Sequence, residues 1–235
     1  MKNKVLLLTG TVNSSGVCLM KRDDTEVRLK DYLNAITRWI DMFPEIKIVF
    51  VENSDFPKEA LGEKILKHEN FEYLTYSGQD FSRSKGKGFG EINSLEYAFN
   101  NSKFINISDY IIKCSGRYFF KGFSQIINGD FDVIGNFNSK LNFMDSRVFA
   151  FKKKFFLDFF LKYKNIINDS EGVFFEHALA KAVHETLSKD GNWSSIPFPI
   201  IIEGYSGTKN QRFNTRWNTL KIYLKFYFRK LIVRN

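Results

Sequence analysis

Residues 85 to 120 read KGKGFGEINSLEYAFNNSKFINISDYIIKCSGRYFF, and this stretch holds the residue types best suited to gripping an anion. Gly86, Gly88 and Gly90 alternate beside Lys85 and Lys87. Glycines allow backbone amides to approach an anion closely and adopt positive φ at little cost. The spacing is neither a Walker loop, since no Gly-Lys-Ser or Gly-Lys-Thr follows, nor a dinucleotide fingerprint behind the first strand. A solvated surface loop is the bland alternative. The apolar run that follows ends in Lys113, Ser115, Gly116 and Arg117. Ligands of open α/β sheets collect at the carboxyl ends of strands. A metal-dependent enzyme would carry carboxylates there, and this chain carries cations.

Other chemistry-bearing residues are sparser. Glu171 and Glu176 fall at and near the start of a helix, where the helix dipole favours carboxylates in any soluble protein. Glu176, in an otherwise apolar stretch, is the better candidate for a general base acting on a hydroxyl. Asp130-Phe131-Asp132 has the letters of an Asp-x-Asp metal motif, but it precedes the apolar pair Val133-Ile134 instead of following a strand, which reads as turn chemistry. His68, His177 and His184, with Cys18 and Cys114, lack zinc-ligand spacing. Packing or solvent exposure is the expected role of His177 and His184.

These residues need a scaffold, and the hydrophobic pattern supplies one. Val5 to Thr11, Ile46 to Val51, Phe71 to Tyr76 and Asp109 to Cys114 read as strands. Helices are predicted over residues 27–43, 58–68 and 91–101 between them. That alternation predicts a parallel sheet with crossover helices, an α/β fold. Further strands are predicted at Phe131 to Phe137 and Ser146 to Phe151, and a helix over residues 171–187. At 235 residues, with 26 Phe and 10 Tyr against 4 Pro, the body has ample material for one core.

The formal charge of +9 sits mostly in a tail. No acidic residue follows Glu203, whereas Lys209, Arg212, Arg216, Lys221, Lys225, Arg229, Lys230 and Arg234 do. From Phe213 onward, Trp217, Leu220, Leu224, Tyr227, Phe228 and Leu231 recur at three- and four-residue steps. The chain thus divides into a body over residues 1–205 and a basic amphipathic helix over 206–235. Such a helix suits an anionic membrane surface or packs against the body. Ile222, Phe226 and Val233 blur its polarity. No nucleic-acid-binding module accompanies the charge. The segment Val5 to Leu8 behind Met1-Lys2-Asn3-Lys4 is too short for a signal peptide, which predicts a cytoplasmic protein; its basic helix would make it peripheral on the plasma membrane's inner face.

Taken in order, a first strand ending TGTVN, a strand ending VENSD, then KGKGFGE, YIIKCSGRYFF, MDSRVFAFKKKFF and EGVFFEHALAKAV resemble a known family. The chain is similar, over about residues 4 to 205, to small bacterial glycosyltransferases of capsule and O-antigen (lipopolysaccharide) assembly, notably their galactofuranosyltransferase domains. The resemblance implies a GT-A-like, Rossmann-related fold and inverting transfer from a UDP-sugar to a glycan or lipid-linked acceptor. It implies that Thr9, Gly10 and Thr11 face the nucleotide, with Glu52 and Asn53 near its base or ribose. Lys87, Gly88, Gly90 and Glu91 would lie under the diphosphate and sugar. Arg117 and Lys113 would occupy the place of the usual metal-binding pair, and Glu176 would be the base. The missing Asp-x-Asp departs from the broader fold, so no metal cofactor is expected. A nucleotidyltransferase, or a non-enzymatic membrane-associated accessory protein of polysaccharide assembly, is the alternative.

Overall fold

The computed structural model describes residues 3–14, 21–126 and 131–232. Cys18, Asp130, Val233 and Arg234, and the side chains of residues 124, 125 and 228–232, lie outside the described part.

The first strand, β1 (Lys4–Gly10), is apolar on both faces, which marks a central strand of a sheet covered on both sides. It pairs in parallel with β2 (Lys47–Glu52) and β4 (Tyr110–Ser115), and β2 pairs in parallel with β3 (Phe71–Thr75). A two-residue strand, β5 (Phe119–Phe120), leaves the sheet to pair with β9 (Ile202–Glu203). β6 (Val133–Ile134), β7 (Val148–Lys152) and β8 (Trp193–Ser194) complete a seven-stranded sheet of order β3-β2-β1-β4-β7-β6-β8. It is the mostly parallel α/β sheet with flanking helices that the alternation predicts.

Helix α1 (Thr25–Met42) covers one face and α2 (Gly86–Asn101) with α3 (Phe175–Ser188) the other. A last helix, α4 (Arg216–Ile232), follows the body. Strand side chains alternate between faces. Leu6, Leu8, Phe50, Ile112 and Cys114 therefore meet Tyr32, Ile36 and Trp39 of α1. Val5, Leu7, Val51 and Ile111 meet Leu95, Ala98, Ala178 and Leu179 of α2 and α3. By the same parity Lys113 faces α2.

The departures from expectation have local causes. β7 runs antiparallel to β4, with Cys114 opposite Val148, so residues 145–147 arrive at the carboxyl ends of β1 and β4. Only Val133 and Ile134 of the expected strand 131–137 join the sheet; beyond them Phe137 makes an isolated bridge to Met144. Residues 153–166 form short helical turns whose Phe155, Phe156 and Phe160 are buried. Their unbroken aromatic content carries no clean period. Asp132 lies at the opposite edge of the sheet from the carboxyl ends of β1 and β4, paired with Lys152 at 2.9 Å, while Lys152 stands opposite Tyr110.

Candidate active site

A cleft of about 1040 Å³ opens over the carboxyl ends of β1, β2 and β4. Thr9, Gly10, Thr11, Asn53, Lys87, Gly88, Gly90, Glu91, Arg117 and Glu176 all line it. Glu52 and Lys113 do not.

The floor is set by β1 and the turn behind it. The amide of Gly116 donates to Thr9 O at 2.8 Å, tying the end of β4 to the end of β1. A Cβ on Gly10 would lie 2.5 Å from the Phe50 ring, so only glycine fits there. Thr11 Oγ1 donates to Asn53 Oδ1 at 2.6 Å. Arg28, almost wholly buried, donates to the carbonyls of Thr11, Val12 and Arg22 and clamps the turn. Burial lowers its pKa, which is the cost of holding a charge on carbonyl partners. Its sign in the sequence was its place four residues before Tyr32 on the buried stripe of α1, and sequence reasoning missed it.

Glu52 corrects an expectation. It was expected beside the base or ribose, yet it is fully buried and accepts from the amides of Val12, Ser54 and Phe56 and from Thr75 Oγ1. A carboxylate capping that many donors organises the loop and has no lone pair to spare for a ligand.

The KGKGFGE segment is also not a loop. It forms the first turns of α2, where packing overrides the poor helix propensity of glycine. A Cβ on Gly88 would stand 3.0 Å from both the backbone nitrogen and Cβ of Phe175, and one on Gly90 would stand 3.1 Å from Phe81. Gly88 lets α2 seat closely against the start of α3, and Gly90 makes room for the Phe81 ring. Gly86, at φ +71°, lies against Asp169. The Asp169 carboxyl is pushed up by burial, while Lys87 and the amides of Lys87 and Gly88 pull it back. Lys87 Nζ also donates to Thr208 Oγ1 at 3.1 Å across the cleft.

Lys113 was expected among the cleft's cations. Its side chain has no exposed surface: Nζ donates to the Glu91 carboxylate and, at 2.7 Å, to Ser146 O, between the Phe149 and Phe175 rings. Glu91 also accepts from Thr9 Oγ1 at 3.2 Å. Lys113 therefore supports the cleft from beneath, by orienting Glu91.

Glu176, in the first turn of α3, accepts from Ser146 Oγ at 2.7 Å. Burial raises its pKa and the charge of Glu91 adds to the rise; the Ser146 hydrogen bond opposes both. His177 is a cap, its Nδ1 accepting from the Phe174 amide at 3.1 Å.

Arg117 lines the cleft with its side chain 10% exposed. Its Nη1 lies 3.9 Å from Asp31 Oδ2 and has no hydrogen-bond partner. Asp31 is already engaged, accepting from Arg22 Nε at 2.6 Å and Nη2 at 2.8 Å. Arg147, missed in the sequence, adds a further guanidinium to the wall, with Nε donating to Asp145 Oδ1 at 2.9 Å. Burial pushes the Asp145 carboxyl up, and the hydrogen bonds and charge of Arg147 outweigh it, so its pKa is lowered.

Residues 206–213 were assigned to the basic helix, but Ser206, Gly207, Thr208, Lys209 and Phe213 close the cleft and α4 begins at Arg216. The amides of Lys21 and Arg22 donate to Gly207 O, and Arg22 Nη1 donates to Asn210 Oδ1 at 2.8 Å. Phe213 meets the Tyr118 ring edge-on at 5.3 Å.

β4 ends at Ser115 and runs on into Gly116 and Arg117, Glu91 is paired with Lys113, and among the described residues no three His, Cys, Asp or Glu side chains gather.

No protein-family model and no curated protein matches this sequence. Among solved structures the chain is similar to a protein assigned as a nucleotide-diphospho-sugar transferase from Desulfovibrio desulfuricans G20, with 12% identity, 96% of this chain against 99% of that one, and a TM-score of 0.48. It is similar to a cytidylyltransferase from Leptospira borgpetersenii, with 13% identity, 100% against 98% coverage and a TM-score of 0.48. A glycosyltransferase involved in glycosylating the major capsid of PBCV-1 matches at 8% identity, 81% against 80% coverage and a TM-score of 0.45.

The Glu91–Lys113 pair yields a stability test. Glu91→Gln leaves a wholly buried ammonium without its carboxylate and should cost about 3–5 kcal/mol in urea unfolding. Adding Lys113→Met should recover the larger part. A double variant as unstable as the sum of its singles would show the two side chains to be uncoupled.

Proposed function

We propose that this chain is an inverting glycosyltransferase using a nucleotide-diphosphate sugar, UDP-linked, with a glycan or lipid-linked acceptor. The observation that carries the reading is the unpartnered Nη1 of Arg117 at the carboxyl end of β4. A buried donor without an acceptor is costly unless a ligand completes it. An anion entering over Gly10 and Gly116 supplies that acceptor, with Arg147 and Lys87 on the same wall.

The chemistry follows from the two ends of the cleft. Glu176 accepts the proton of an acceptor hydroxyl, the freed oxygen bonds to the anomeric carbon, and the bond from that carbon to the diphosphate breaks. The diphosphate leaves with the electron pair, its charge met by Arg117 in a site where fixed charges need little reorganisation. Glu91 and Thr9, at the floor between them, are positioned to hydrogen-bond the sugar. The likeness of TGTVN, KGKGFGE and EGVFFEHALAKAV to capsule and O-antigen galactofuranosyltransferases makes UDP-galactofuranose the donor to test first.

Product analysis separates this reading from nucleotidyl transfer. With a panel of nucleotide sugars and EDTA present, the expected product is a nucleoside diphosphate. Pyrophosphate released from a nucleoside triphosphate would assign the other reaction. Turnover lost in EDTA and restored by Mn²⁺ would overturn the metal-independent assignment.

Arg117→Gln should lower kcat about 10- to 150-fold, the value of one charge-assisted hydrogen bond of about 1.5–3 kcal/mol. Its melting temperature should hold, because the side chain's Nη1 is unsatisfied within the protein. A parallel fall in stability would make Arg117 structural.

Glu176 gives a prediction in pH. A base must be ionised, so kcat/KM should rise through a pKa above the ordinary glutamate range, and Glu176→Gln should abolish both turnover and that limb. The stability sign is opposite. A carboxyl raised by folding contributes stability at low pH that is lost as pH climbs through the folded-state value. The Gln variant should therefore be no less stable than the parent at neutral pH. Near-normal turnover in a folded Gln variant would remove Glu176 from the role.

A further inference from the structure

Helix α4 stands apart from the chemistry and has its own organisation. Trp217, Leu220, Leu224 and Tyr227 lie at steps of three and four along one stripe. They are 65%, 49%, 49% and 57% exposed, respectively, whereas Ile222 and Phe226 on the other side are half-buried. The side that the protein partly covers is thus not the side with the aromatic stripe. A contiguous exposed apolar stripe marks a contact surface.

Charge selects its occupant. Arg216 and Lys221 flank the stripe, Lys225 lies beyond Lys221, and no acidic residue follows Glu203. A second copy would bring an equally basic helix against this one with no carboxylate on either to pair. A bilayer with anionic headgroups satisfies both features, taking the aromatic and aliphatic side chains at the acyl boundary and the cations at the phosphates. Among the described residues no helix is long and apolar enough to cross a membrane, so the contact is one of lying on the surface.

We propose that α4 docks this protein on an anionic lipid surface, with Trp217, Leu220, Leu224 and Tyr227 inserted and Arg216, Lys221 and Lys225 on the headgroups. The helix follows closely on residues 206–213, which wall the cleft. The proposal does not depend on which reaction the cleft performs.

Vesicle co-sedimentation of the full chain tests it, using phosphatidylcholine vesicles with and without phosphatidylglycerol at low and high salt. Binding is expected to the anionic vesicles alone and to weaken with salt. Leu220→Glu with Leu224→Glu should abolish it without changing the melting temperature, and Lys221→Gln with Lys225→Gln should weaken it on the order of tenfold. Equal binding to both vesicle types, or to neither, would overturn the proposal. So would a dimer in sedimentation velocity that the Leu220→Glu and Leu224→Glu pair dissolves, since the stripe would then be a contact between copies.

Discussion

Lys113 carries a charge with no exposed surface, and the organisation of the cleft follows from how that charge is held. An unpaired ammonium in that place would be untenable, so other segments must deliver partners to it. α2 delivers Glu91, and the turn before β7 delivers the carbonyl of Ser146. Each partner then does something more. Glu91 reaches Thr9 at the end of β1, and Ser146 Oγ holds Glu176. One buried cation thus links the floor of the cleft to the carboxylate at the start of α3. Gly88 of α2 serves the same end. Without the close approach at Gly88, the first turn of α3 would stand off and Glu176 with it.

The electrostatics around this centre are graded. Glu91, Asp31 and Asp145 each face a cation of the protein. Glu176 instead accepts from the Ser146 hydroxyl, with the charges of Glu91, Lys113 and Arg147 acting on it from farther off. Arg117 is the converse, a cation whose nearest carboxylate is already taken by Arg22. Arg117 and Glu176 are thus groups of opposite charge that both line the cleft. Pairs that are satisfied internally shape a site, whereas groups left incomplete are the ones a bound molecule can complete.

Much of the scaffold was legible because its signals are periodic. The alternation of apolar strands with helices at 27–43 and 91–101 gives the parallel half of the sheet, and SGR at and just beyond the end of β4 falls at the cleft as its position in the chain implies. Side-chain facing was harder. YIIKCS is buried on both faces, so its pattern does not say which way Lys113 points, and a one-residue difference in parity reverses the answer. Glu52 misleads for another reason. An acid at a strand end looks like a ligand contact until the turning chain brings three amides to it, and only the folded backbone shows them. Arg147 and residues 206–213 were hidden by topology, since nothing local in MDSRVF or SGTKNQRF reports an antiparallel strand or a return across the cleft.

Those last two elements divide the cleft into unequal parts. The β1, β2 and β4 ends are fixed by the sheet register and by the Arg28 clamp, and they form the rigid side. The other side is a segment held by a few contacts: Gly207 O on the amides of residues 21 and 22, Asn210 on Arg22, Thr208 on Lys87 and Phe213 on Tyr118. Two of these contacts use cations, Arg22 and Lys87, of which Lys87 also lines the cleft. Arg22 occupies Asp31, which is what leaves Arg117 incomplete, and Lys87 stands at the start of α2. The wall from residues 206 to 213 is thus tied to the floor of the cleft by side-chain and loop contacts and not by the sheet.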